Sequence, residues 1–448
     1  MKKKKVLILI TSNNFIRNYL VTDAFNDIKK KYDCYFLINN NLNFELKKNF
    51  FKYLLNRNEE KLFQKFFLIQ SFLNHDLSKS TKFIIKKYLD IKIWWKKDSL
   101  INNIISFPKR FLAKSFRFLL FLLCVNYFSK FFFKNYGSNL KKNQSLEKIV
   151  NQIKPALVII PTQGQEKAYF DMIKICKENK VESLSLIDNW DNISSRIIPK
   201  PISDYFAVWG EQTKIQGIKI QKIKKDKIFI LGTPRFEVYK KYKPKKLFKF
   251  KYILFCEAFG LTEDISEILN KLEKILDKKP FKEFKLIYRP HPWRKDNEII
   301  DITNYKNILI DPQLKNNYLL RTFNNSFQPS LKYYPKLISN AEFIISSPTT
   351  MVIESLLLKK KVIVLGHKSK SIFNHYNHIV KLNHFDGVEK LKDVKICWNL
   401  QNLEKMCNDI KLKKIITRKN KKIKLNHFIH YNKLSYSKKL LEITQKII

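Results

Sequence analysis

The side chains whose types and spacing suit chemistry fall into three groups. The first is Tyr288-Arg289-Pro290-His291-Pro292, at the end of an apolar run. A guanidinium there can hold a phosphate, and an imidazole can donate to developing negative charge. The second is a hydroxyl-rich turn, Ser346, Ser347, Thr349 and Thr350 around Pro348, with Glu354 one helical turn later. Free backbone N–H groups and the macrodipole at a helix start favour an anion, so this turn suits a diphosphate and Glu354 a sugar hydroxyl. The same hydroxyls would equally serve as ordinary helix caps. The third group, Glu166, Asp188, Asp191 and Arg196, sits in polar loops at 161–166 and 188–196. An ionised carboxylate there could take a proton from a hydroxyl, although Asp and Asn are also common turn formers. His367, His375, His378 and His384 crowd one short stretch, but the only acid near them is Asp386, and no metal site is expected.

These groups need strands that end where they begin. Residues 343–345 and 362–365 are apolar runs flanking a short helical pattern (Met351, Ile353, Leu356, Leu357), which is a βαβ unit and implies a parallel sheet buried on both faces. Further strands are expected at 252–256, 285–288 and 307–310. The N-terminal part opens the same way, with strands at 6–10 and 35–38 around a helical pattern, and resumes at 156–160, 183–187, 205–209 and 228–231. In such sheets ligands sit beyond the carboxyl ends of the strands, which puts Glu166, Asp188, Asp191 and Arg196 on one rim. The turn after the first strand lacks Gly-x-Gly-x-x-Gly, which argues against a dinucleotide-dependent dehydrogenase. The expected domains are 1–235, a Lys-rich linker at 236–251, a second Rossmann-like domain at 252–400 and a helical tail at 401–448.

The segment 41–150 reads as helices inserted into the first domain. Within it, 107–133 has an uncharged core of twelve residues, 118–129, well short of the roughly 20 that span a bilayer. Lys109, Arg110, Lys114, Arg117, Lys130 and Lys134 surround that core with no acid between them. The pattern suits a helix in the interface of an anionic membrane, or a core helix with charged ends.

The 448 residues hold 87 basic and 39 acidic side chains, a net charge of +48. Only ten of the 87 are Arg and the Lys is spread along the whole chain, which weighs against nucleic acid as a partner. Six scattered cysteines suggest neither a disulfide framework nor zinc and fit a reducing compartment. The N-terminal apolar run of five residues is too short for a signal-peptide core, so a cytoplasmic location is expected.

Three segments together resemble the two-Rossmann-domain (GT-B) glycosyltransferases of bacterial surface-polysaccharide biosynthesis, such as those of capsule or lipopolysaccharide. They are also similar to CDP-glycerol glycerophosphotransferases and UDP-N-acetylglucosamine 2-epimerases. The segments are residues 333–366, residues 288–292, and 187–192 with 204–212 and 228–239. The resemblance implies an α/β fold of two doubly wound domains facing a cleft, with the helical insertion in the first. It implies that Ser346, Ser347, Thr349 and Thr350 hold the donor diphosphate, Glu354 the donor ribose, and Arg289 a phosphate. His291 would be the catalytic histidine, with a general base among Asp188, Asp191 and Glu166. The epimerases carry Gly-Gly where this chain has Thr349-Thr350. No Asp-x-Asp pair occurs in the chain, so transfer without a metal or other cofactor is expected. The implied donor is a nucleotide-activated sugar, the acceptor a glycan or lipid-linked glycan, and the location the inner face of the cell membrane. A CDP-polyol phosphotransferase, a hydrolysing nucleotide-sugar epimerase, an inactive scaffold and a nucleic-acid binder are the rivals.

Overall fold

The computed structural model describes residues 3–42, 44–45, 48–74, 77–89, 100–125, 140–243, 245–258, 262–292, 300–319, 328–368, 375–411, 423–431 and 433–448. The chain forms two compact units. The first takes residues 1–15, 25–232 and 437–448, and the second takes 16–24 and 233–436.

The first unit is built on seven parallel strands: β1 (Lys5–Ile10), β2 (Asp33–Asn39), β3 (Phe50–Tyr53), β4 (Leu157–Thr162), β5 (Glu182–Ile187), β6 (Tyr205–Val208) and β7 (Ile228–Ile230). Their order across the sheet is β3-β2-β1-β4-β5-β6-β7. Leu7 of β1 pairs with Tyr35 on one side and Val158 on the other. Val6 to Ile10 and Leu157 to Ile160 have no exposed surface, because helices cover both faces. β3 arises inside the stretch whose pattern reads as helical. It has only four residues, one of them fully buried, and sits at the sheet edge, so its surroundings of Phe, Lys and Leu hide it.

After β3 come the helices Arg57–Leu73, Lys79–Leu89 and Leu100–Val125. Ile69, Phe72, Ile85 and Cys124 form their shared core, with Leu120 and Phe121 packed against it. Residues 126–133, the remainder of the expected interfacial segment, lie outside the described residues. The chain returns to the sheet through the helix Gln144–Ile153, whose cap Asn143 accepts from Leu146 N–H at 3.1 Å.

The second unit holds β8 (Lys251–Cys256), β9 (Phe284–Arg289), β10 (Ile308–Ile310), β11 (Ile344–Ser346), β12 (Val362–Leu365) and β13 (Val394–Cys397), ordered β10-β9-β8-β11-β12-β13. Ile344 of β11 pairs with Leu254 and Val362. The helix Thr262–Leu276 places Ile265, Ile268, Leu269, Leu272, Ile275 and Leu276 at helical spacing into a core with Phe255, Phe343 and Ile363. Leu403, Cys407 and Ile410 of the helix Leu403–Lys411 join the same core. Two Rossmann-like units of parallel strands confirm the fold class read from the sequence. In each, the order reverses beside the first strand, between β1 and β4 and between β8 and β11. Strand ends there leave room for a ligand.

Candidate nucleotide-donor and acceptor sites

In the second unit, the rim of strand ends carries the candidate residues on four neighbouring strands. At the end of β11, Ser346 Oγ donates to the Ser347 carbonyl at 2.6 Å, and Met351 N–H donates to Thr349 Oγ1 at 3.2 Å. Thr349 therefore caps the helix Met351–Leu357, although the N-cap position itself is Thr350. Ser347 differs from its neighbours. Its hydroxyl is fully buried and makes no hydrogen bond among the described residues. A buried hydroxyl without a partner costs free energy that a bound ligand or water would recover.

Glu354 is 7% exposed and already engaged. Its Oε2 accepts from the Tyr239 hydroxyl at 2.5 Å, and Arg235 Nη2 stands 3.9 Å from Oε1. Burial, together with the charge of Glu354, holds the Tyr239 phenol well above its ordinary pKa, so Tyr239 remains a donor.

Arg289 ends β9 and His291 follows just beyond it, two strands from β11, with β8 between. Two strand spacings put those ends about 10 Å apart. The Arg289 guanidinium is buried among protein groups. It forms an ion pair with Asp311, donates to Gln313 Oε1 at 3.1 Å and stacks 4.4 Å over Tyr334. Asp311 also accepts from the Tyr333 hydroxyl at 2.7 Å and Gln313 N–H at 3.0 Å. His291, half-buried, follows two residues on.

Two further groups lie on this rim: Glu257, which escaped the sequence reading, and His367, which entered it only as one of four crowded histidines. Glu257, 5% exposed, directly follows β8, donates its N–H to the Arg289 carbonyl at 3.0 Å and accepts from the Tyr288 hydroxyl. An acid immediately after an apolar run was the available signal. His367 follows β12 and is 6% exposed. Its Nδ1 is buried without a hydrogen-bond partner among the described residues, and its ring lies 5.2 Å from that of Tyr376. Burial lowers its pKa, partly countered by Glu267. Gly366 before it is required by close approach, since a Cβ there would come within 2.6 Å of Ile396 Cγ2. Among the described residues no group of three or more His, Cys, Asp or Glu is placed to hold a metal ion.

In the first unit, Glu166, Asp188 and Asp191 share the rim of the adjacent strands β4 and β5. Glu166 begins the helix Lys167–Glu178 and its carboxylate accepts from Thr162 Oγ1 at 2.7 Å, Gln163 N–H at 2.9 Å and Gln165 N–H at 3.1 Å. Asp188 is buried, with its carbonyl accepting from Trp209 Nε1 at 3.2 Å. Asp191 accepts from Ser195 Oγ at 3.3 Å through Oδ2, while Oδ1 is buried without a hydrogen bond among the described residues. Arg196 donates to Gln163 Oε1 at 2.7 Å and so ties the two loops together. After the neighbouring β1, the hydroxyls of Thr11 and Ser12 are likewise buried and unsatisfied.

No family model matches the sequence, and no curated protein matches it. Solved structures do match the fold. A UDP co-structure of MnaA from S. aureus is 12% identical, covering 99% of this chain and 98% of that one with a TM-score of 0.51. UDP-GlcNAc 2-epimerase from Neisseria meningitidis, bound to UDP-GlcNAc, is 14% identical over 99% of this chain and 100% of that one, with a TM-score of 0.51. The enzyme of that name from Methanocaldococcus jannaschii is 14% identical over 98% and 99%, with a TM-score of 0.50. At these identities the likeness is one of fold, two Rossmann-like domains in the GT-B manner.

Proposed function

We propose that this chain is a GT-B glycosyltransferase that takes a nucleotide-activated sugar and extends a cell-surface polysaccharide or lipid-linked glycan. The observation that carries the reading is the buried, unsatisfied Ser347 hydroxyl in the β11 turn, beside Thr349 and a largely buried Glu354. Those groups suit a nucleoside diphosphate, with Ser346, Ser347, Thr349 and Thr350 around the phosphates and Glu354 Oε1 toward the ribose. The S. aureus and N. meningitidis structures of the same fold contain UDP and UDP-GlcNAc, which favours a uridine nucleotide here.

In the transfer, the acceptor oxygen bonds to the anomeric carbon and its proton passes to a carboxylate, Asp188, Asp191 or Glu166. The bond from that carbon to the diphosphate breaks, and its electron pair leaves with the nucleotide. His291 supports the departing charge, without a metal. The buried ion pair with Asp311 makes Arg289 a residue that positions the β9 end, with its charge felt by the phosphates at a distance. The protein would work in the cytoplasm as a peripheral enzyme on the inner, anionic face of the cell membrane.

A second reading is a UDP-GlcNAc 2-epimerase, favoured by the names of two of the fold relatives. A polyol-phosphate transferase using CDP-glycerol would need a cytidine nucleotide in the same place. Thermal shift with UDP, GDP, CDP and CMP, and with single-stranded RNA as control, separates these. Stabilisation by UDP is expected; stabilisation by RNA alone, lost in salt, would overturn the enzyme reading. Incubation with UDP-GlcNAc and no acceptor tests the epimerase, which in its hydrolysing form would consume water and yield UDP with the free 2-epimeric sugar. His291→Ala is expected to abolish transfer while UDP still binds.

A further inference from the structure

We infer that the outward face of the helix Leu100–Val125 is a membrane-docking surface that lies flat in the headgroup boundary of a bilayer rich in anionic lipid. This deepens the reading of a peripheral enzyme and rests on it for its biological purpose, although the surface stands on its own geometry.

One side of the helix is already used. Cys124 is buried, and Leu120 and Phe121 pack against the helices Arg57–Leu73 and Lys79–Leu89, with the Phe121 ring 5.4 Å from Phe72 and edge-on to it. The other side is open. Nine of the sixteen exposed large apolar side chains among the described residues lie on this one helix, among them Ile105 at 71% and Phe116 at 67% exposure. The other seven are scattered, which is ordinary; nine on one helix is not. At 3.6 residues per turn, Ile105, Leu112, Phe116, Phe118, Leu119 and Leu122 fall within a single arc opposite Cys124.

Charge selects the partner. The helix carries Lys109, Arg110, Lys114 and Arg117 and no acid. By the same period Lys109 lies at one edge of the apolar arc and Lys114 at the other, with Arg110 and Arg117 farther round. Apolar groups between two basic edges match acyl chains beneath anionic headgroups, with the lysine stems reaching outward to the phosphates. Two copies of this face brought together would instead set like charges against one another, since the helix itself supplies no carboxylate. No helix among the described residues is long and apolar enough to cross a membrane, so the contact is lateral. Its effect is to hold the enzyme where lipid-linked acceptors reside.

Flotation with vesicles of phosphatidylcholine, with and without phosphatidylglycerol, tests this on the full chain. Wild type is expected to float with the anionic vesicles and about tenfold less with neutral ones. Phe116→Ser with Leu119→Ser and Leu122→Ser should stay in the soluble fraction, with its circular dichroism and UDP thermal shift unchanged. Lys109→Glu with Lys114→Glu keeps the apolar face and should lose the preference for anionic lipid. Equal partition of wild type and the serine variant overturns the inference, as does a wild-type dimer that the serine variant converts to monomer without vesicle binding. If the serine variant does not fold, the charge pair alone decides, and unchanged lipid preference there also overturns it. Vesicle binding without any nucleotide shift would leave the surface standing and remove the transferase reading; a nucleotide shift without vesicle binding would do the reverse.

Discussion

The Tyr239 hydroxyl donates to Glu354 Oε2 at 2.5 Å inside the second unit, and both side chains are buried. The bond fixes one carboxylate oxygen, while Oε1 lies 3.9 Å from Arg235 Nη2 and, on the proposed reading, is left for the donor ribose. Glu354→Ala is therefore expected to weaken UDP binding about tenfold or more, the worth of a hydrogen bond to a charged group. Tyr239→Phe keeps the carboxylate but frees it to turn, so titration calorimetry should find a smaller loss of affinity. An equal or larger loss in Tyr239→Phe would mean that the phenol itself meets the ligand.

Arg289 and Asp311 make a different kind of prediction. The pair is buried and removal of either charge leaves the other uncompensated, a cost of about 3–5 kcal/mol. Urea unfolding of Arg289→Ala should register most of that loss, with a smaller change in UDP affinity for whatever protein remains folded. An Arg289→Ala protein of wild-type stability that no longer binds UDP would put the guanidinium on the phosphate.

Which of these relationships was legible beforehand follows from their range along the chain. β1, β4 and β8 were readable because a strand buried on both faces is an unbroken apolar run bounded by polar turns. The Ser346–Thr350 turn was readable for the same reason, lying between two such runs. β3 and β13 were not, since Lys52 and Lys395 interrupt their short apolar runs, whereas the equally short edge strands β7 and β10 read Ile-Phe-Ile and Ile-Leu-Ile without interruption. Arg289 could be seen as an arginine at a strand end, but not that Asp311, 22 positions later, would bury its charge. Tyr239 and Glu354 are 115 residues apart, and only the folded second unit brings them together.

His367 supplies a pH dependence. Burial lowers its pKa below the ordinary 6.5, so the folded chain holds it neutral where the unfolded chain would take up a proton. Its contribution to stability is complete above the unfolded value and is lost as pH falls through the lowered folded one. Urea midpoints measured between pH 7.5 and 5 should fall more steeply in wild type than in His367→Gln. UDP, if it meets the unpartnered Nδ1, should protect the ring from diethyl pyrocarbonate. Parallel slopes for the two proteins would show that His367 is protonated alike in both states.

Gly164 lets the first unit's rim be tested without touching a carboxylate. It stands at φ +87°, where its N–H donates to Thr162 Oγ1 at 2.8 Å, and a Cβ would come within 3.2 Å of Ile198 Cγ1. Gly164→Ala should cost about 1–2 kcal/mol for the left-handed backbone. The strain falls between Gln163, which holds Arg196, and Gln165, whose N–H binds Glu166. If the Glu166 and Asp191 loops orient the acceptor, kcat should drop about tenfold or more while UDP affinity, which the proposal assigns to residues of the second unit, stays at the wild-type value. A variant that loses stability by this amount yet keeps full kcat would remove the 161–166 loop from the acceptor site and leave Asp188 and Asp191 as the remaining candidates for the base.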